Sequence, residues 1–122
     1  MLYVLADIAY WIVILLHIYF VVLEMALWKN LAPKLFRVTP EFAVQTAGLA
    51  SNQGLYNGFI VAALLIGYVT TNIDIGASFM IYGLACVVIA GIWGGITVSR
   101  RIFLVQALPG IVALALRLSL GL

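Results

Sequence analysis

Four long apolar stretches follow one another along the chain, separated by short polar breaks. The first runs from about Leu2 to Trp28, interrupted only by Asp7, His17 and Glu24 as charged or titrating groups. A helix needs about 20 residues to cross the hydrocarbon of a bilayer, so this stretch is long enough to cross with tilt. A break from Lys29 to Val38 follows, holding Lys29, Lys34 and Arg37. Thr39-Pro40-Glu41 then reads as a helix start. The threonine hydroxyl can cap, proline suits the first helical position, and the carboxylate sits at the positive end of the dipole. The second helix is predicted over 40–71. It is continuously apolar only from about Gly54. Its first half, with Glu41, Gln45, Ser51, Asn52 and Gln53, is polar enough to project from the membrane or face a cavity. Thr71-Asn72-Ile73-Asp74 reads as a tight turn. The third helix is predicted over 75–98 and carries no charge. Ser99-Arg100-Arg101 is the last break, and the fourth helix is predicted over 102–120. Pro109 removes a backbone donor near its middle and is expected to kink it. Arg117 stands near its end, where a long side chain can snorkel to the headgroups. The expected fold is therefore all-α: one four-transmembrane-helix bundle, a single domain over residues 1–122.

Composition supports the same solvent. Hydrophobic residues make up 66% of the chain and charged residues 8%, against about 45–50% and 25% in soluble proteins. A globule this small has too much surface to hide that much apolar area. The lipid bilayer is the partner the composition demands. Five of the six basic residues lie in the first and third connectors, whereas the second connector carries Asp74. The positive-inside rule then puts connectors one and three in the cytoplasm and both termini outside, as a multi-pass protein of the cell's inner membrane. The N-terminal stretch is read as the first membrane helix rather than a cleavable signal, since it lacks a basic leading region and carries Asp7. A net charge of +2, held in short connectors, excludes nucleic acid as a partner. With one cysteine, Cys86, and one histidine, neither an intramolecular disulfide nor a metal site is expected, and no cofactor is implied.

Helices in lipid associate through close packing, so small residues mark interfaces. Gly54-x-x-x-Gly58 lies in the second helix, and Gly91-x-x-x-Gly95 and Ala90-x-x-x-Gly94 in the third. Packing inside the bundle is the favoured use of these Gly/Ala seams; a homo-oligomer through them is the alternative.

Polar side chains at membrane depth are costly and usually face the protein interior, which makes them the best functional clue. Tyr10, His17 and Glu24 are spaced by seven and share one stripe of the first helix, with Trp28 four residues further on. Glu24 and His17 can titrate near neutral pH when buried and are the candidate acid–base residues. Asn52 and Tyr56 are four apart in the second helix, as are Gln53 and Asn57. Gln106 lies about one turn past Arg101. Arg100 and Arg101 are the candidate counter-ions for Glu24, with anchoring among headgroups the favoured reading for Arg100. The candidate ligand-binding set is therefore Trp28, Asn52, Gln53, Tyr56, Asn57, Arg101 and Gln106, at one depth near the cytoplasmic end. The plainer reading of the same residues is a hydrogen-bonded seam, a hydrated helix shoulder and headgroup anchors.

The string Ser51-Asn52-Gln53-Gly54-Leu55-Tyr56-Asn57-Gly58-Phe59 is specific. With His17-Ile18-Tyr19-Phe20, Glu24-Met25, Trp28 and Gln106-x-x-Pro109, it resembles the small bacterial integral membrane proteins catalogued as domain-of-unknown-function family 1304. The resemblance covers essentially the whole chain and implies a four-helix membrane protein with no assigned activity. A weaker, fold-level likeness is to the membrane-associated eicosanoid and glutathione metabolism superfamily. Asn52 and Gln53 sit where its polar cluster falls, but Ala50 and Ser51 stand where it has an arginine, so the likeness extends to the bundle and not to glutathione. Three functions fit: binding or transforming a small lipophilic or amphiphilic molecule, a structural or accessory membrane subunit, and a small proton-coupled exporter with Glu24 as its carboxylate.

Orientation has a direct check. In a Cys86→Ala background, Lys34→Cys is expected to react with a membrane-impermeant thiol reagent only after the membrane is opened, and Thr71→Cys in intact cells. The reverse pattern overturns the assignment.

Overall fold

The computed structural model describes residues 1–122. Its regular structure is helical, with four helices long and apolar enough to cross a membrane. They are α1 (Leu2–Phe36), α2 (Pro40–Val69), α3 (Ile73–Thr97) and α4 (Arg100–Ser119). At about 1.5 Å per residue these are roughly 52, 45, 37 and 30 Å long. A hydrocarbon core of about 30 Å is matched by α4 and exceeded by α1 and α2.

Each break is closed by a side chain that satisfies orphan helix donors, which lipid cannot do. Thr39 Oγ1 accepts from the Phe42 N–H at 3.1 Å, the cap expected for α2. Asn72 Oδ1 accepts from the N–H groups of Asp74 and Ile75, each at 3.1 Å. Ser99 Oγ accepts from the Arg101 N–H at 3.2 Å. The last two caps start α3 and α4 two residues earlier than the apolar runs do. Arg100 and Arg101 are thus the first helical turn of α4.

One expected boundary is corrected. α1 does not stop at Trp28 but continues through Lys29 and Pro33 to Phe36. Packing overrides the local signals: Ala32 is fully buried and Trp28 hydrogen-bonds to α2. Arg37 ends the helix in the left-handed region (φ 54°), a conformation usually given to glycine.

Two helices carry a π-helical turn, Leu23–Leu27 in α1 and Phe103–Ala107 in α4. In the second, the Leu108 N–H reaches back five residues to the Phe103 carbonyl. Pro109, which has no N–H to donate, comes next. The disruption expected at Pro109 is thus absorbed in a widened turn just before it.

Close contacts divide the chain into two compact units, residues 1–16 with 60–122, and residues 17–59. The core of the first is built from all four helices, with Tyr10, Ile14, Leu64, Leu84, Val87 and Ala113 fully or almost fully buried. The Tyr10 hydroxyl donates to the Leu64 carbonyl at 2.7 Å. Small residues let the backbones meet. A Cβ on Gly91 would lie 2.7 Å from the Ala107 Cα, and one on Gly83 would lie 2.7 Å from the end of the Leu64 side chain. Gly94 and Gly95 meet Ile102 and Phe103. The Gly91-x-x-x-Gly95 seam is therefore filled by α4 of the same chain. Arg117 departs from expectation. It does not snorkel: it is 7% exposed, pairs with Asp7, and lies 4.9 Å over the Tyr10 ring. A counter-ion and an aromatic face inside the unit replace the headgroups.

The second unit is a helical hairpin. The C-terminal half of α1 and the N-terminal half of α2 are joined by residues 37–39 and pack through Leu23, Ala32, Ala43 and Ala50.

Gly91→Ala should cost about 1–3 kcal/mol, because its new methyl meets backbone that cannot swing aside. Gly48→Ala, with open space at its Cβ, should stabilise by up to about 1 kcal/mol through helix propensity. Thermal unfolding in detergent reads both.

Candidate functional site

The π-helical turn of α1 is where the second unit's chemistry sits. A π turn inserts one residue, so the helix faces before and after it are out of register, and such turns recur at functional sites. Within it Leu23 is buried, Glu24 half-buried, and Met25, Ala26 and Leu27 exposed. Facing it on α2 is a buried stripe of Ala43, Ala50, Gly54 and Asn57, spaced by three to seven residues along one face. Gly54 makes the approach close: a Cβ there would lie 2.5 Å from Met25 Cγ and 3.1 Å from Glu24 Cβ. One turn further on, Asn57 Nδ2 donates to Glu24 Oε2 at 2.9 Å. Asn57 itself is 7% exposed.

A turn along α1, Trp28 Nε1 donates to Thr46 Oγ1 at 3.0 Å, and the threonine hydroxyl passes its own proton to the Phe42 carbonyl at 2.8 Å. The indole also packs on Phe36, ring centroids 5.6 Å apart. It is therefore held on two sides. Between these anchors lies a half-open cleft of about 240 Å³, lined by Glu24, Met25, Ala26, Trp28, Lys29, Asn30 and Ala47. Its walls combine a carboxylate, an indole, a thioether and, on the next turn, an ammonium and an amide. Such a surface can accept a proton or a cation at Glu24 and orient a polar group at Lys29 and Asn30. No further chemistry follows from the geometry.

The structure brings some of the expected residues together. Glu24, Trp28 and Asn57 belong to this unit and meet as described. His17 is fully buried two turns before Glu24, edge-to-face with Phe20 at 5.2 Å between centroids. Asn52, Gln53 and Tyr56 take the other side of α2, where they are exposed, and Tyr56 meets the Phe59 ring edge-on. Arg101 and Gln106 belong to the other unit: Arg101 is exposed in the first turn of α4, and Gln106 is half-buried in its π-helical turn. Within its own unit Glu24 is met by a neutral amide, that of Asn57. Arg100 and Arg101 are exposed at the Ser99 cap.

Three participants were missed by sequence reasoning. Thr46, Lys29 and Asn30 were assigned to a polar half-helix and a connector. Thr46 had a signal: it lies between Ala43 and Ala50 on the three-to-four spacing of the buried stripe. Asp7 and Arg117 had none, being 110 positions apart.

A family model described as a protein of unknown function, DUF1304, matches residues 11–118. No curated protein and no solved structure matches the chain.

Asn57→Ala is expected to lower stability by about 1–3 kcal/mol, the usual cost of stranding a half-buried polar partner. Glu24→Gln, whose carbonyl can still accept from Asn57, should change the melting temperature little. Equal losses in the two variants would contradict the hydrogen bond's assigned role.

Proposed function

Because the chain belongs to the DUF1304 family, whose description carries no activity, we propose a function from its own residues: binding of a small amphiphilic molecule in the Glu24–Trp28 cleft. The proposal places this cleft at the cytoplasmic side of the inner membrane, where the basic connectors belong. The observation that carries it is the Asn57 hydrogen bond to Glu24 within a π-helical turn that forms the cleft wall. A carboxylate near hydrocarbon is expensive and is retained where it has work. Here it is oriented by an amide donor.

Depth supports an amphiphile. Glu24 stands five residues before Lys29, the first cation of the basic connector, which belongs among the headgroups, so Glu24 falls near the boundary. A ligand there can leave its apolar part in the membrane and its polar part in the cleft. Glu24 is the group to exchange a proton or hold a cation. Trp28 is the apolar wall, and Asn57 fixes the carboxylate. His17, buried beside Phe20, supports the helix face that carries Glu24.

Detergent-purified protein should therefore retain or rebind amphiphiles. In a thermal-shift screen of single-chain amphiphiles, the unmutated protein is expected to gain stability and Trp28→Ala to lose that gain. If no amphiphile shifts the unmutated protein, the reading falls. Proton-driven uptake by proteoliposomes, abolished in Glu24→Gln, would convert binding into export.

A further inference from the structure

We propose that the ligand of this cleft carries an amine beside an anionic group, as a phosphoethanolamine headgroup does, and enters amine-first. The proposal rests on the reading of the cleft as an amphiphile site and names the ligand's class. Three features of the lining point to it.

The first is the order of charges. Glu24 lies in the π-helical turn, and Lys29 and Asn30 stand five and six residues further along α1 on the same cleft. An acidic and a basic residue lining one cleft complement a zwitterion, with its cation at Glu24 and its anion at Lys29. A purely anionic headgroup would meet repulsion at Glu24, and a purely cationic one would leave Lys29 unanswered.

The second is the state of the carboxylate. Its hydrogen bond comes from the Asn57 amide, a neutral donor. An amide fixes direction and brings no charge of its own, so an ammonium is the partner that would add one. The Trp28 indole, locked by Thr46 and Phe36, offers a fixed aromatic surface beside the same position. Aromatic faces attract ammonium groups.

The third is placement. Glu24 lies about where hydrocarbon gives way to headgroups, and Lys29 lies further out. A bilayer lipid whose amine turns back into the cleft would leave its phosphate at Lys29 and Asn30 and its chains in the membrane. The same headgroup chemistry could arrive as a soluble phosphoethanolamine, which lacks those chains.

The experiment compares short-chain ligands on the purified full-length protein in detergent, by isothermal titration. The ligands are a dihexanoyl phosphoethanolamine lipid, the matching phosphoglycerol lipid, hexylamine and free phosphoethanolamine. The phosphoethanolamine lipid should bind at least roughly tenfold tighter than the phosphoglycerol lipid or hexylamine. Glu24→Gln should weaken the phosphoethanolamine lipid and hexylamine by roughly tenfold and bind the phosphoglycerol lipid no more weakly than before. Lys29→Ala should weaken both phosphate-bearing lipids and spare hexylamine. Binding of free phosphoethanolamine equal to that of the lipid would assign the soluble source.

Equal affinity for the two lipids, unaffected by Glu24→Gln, overturns the amine assignment while leaving an amphiphile site standing. Hexylamine as tight as the phosphoethanolamine lipid, with Lys29→Ala silent, overturns the anionic half. Binding of none of the four removes the amphiphile reading itself.

Discussion

In hydrocarbon there is no water to finish a hydrogen bond, so every polar group that enters must bring its partner with it. That requirement accounts for most of the specific contacts in this chain. Tyr10, fully buried, gives its proton to a backbone carbonyl. Arg117 turns inward to Asp7 and Tyr10 rather than outward. Pro109, which withdraws a donor, follows a turn that widens to let Leu108 bond to Phe103 instead. Apolar burial, which dominates the stability of soluble domains, cannot distinguish these arrangements, because lipid tails are as apolar as leucine.

What remains to hold the helices is close approach, and the glycines supply it. Gly91 lets α3 meet the backbone of Ala107, and Gly54 lets α2 come against Glu24 and Met25. The second contact links packing to function. Asn57, one turn on, donates to that same Glu24 side chain. Site geometry thus rests on a residue with no side chain.

Much of the fold was legible because its signals are one-dimensional. Runs of apolar residues and the Thr39-Pro40-Glu41 start are both readable without knowing any neighbour. What failed was what depends on neighbours. The end of α1 was misplaced because Lys29, Asn30 and Pro33 look like a break, whereas burial of Ala32 and the Trp28–Thr46 bond keep them helical. The polar string from Asn52 to Asn57 reads as one cluster, but about 100° of rotation per residue distributes it around the helix. Only Asn57 shares the buried stripe with Gly54. The π-helical turns have no sequence signature, since the inserted residue is selected by packing on both sides. Yet Glu24 and Gln106, two polar residues singled out from sequence, lie one in each of them.

The two carboxylates of α1 separate structure from function. Asp7 and Glu24 are the same chemistry on the same helix. Asp7 is matched to a guanidinium that is itself buried against an aromatic ring, so its charge is spent on holding Arg117. Removing such a partner strands a buried cation, a cost expected of a structural pair. Glu24 receives one neutral hydrogen bond and borders a cleft. An amide directs the carboxyl group and brings no charge of its own to it. The difference between them lies in the partner, a buried guanidinium for Asp7 and an amide for Glu24.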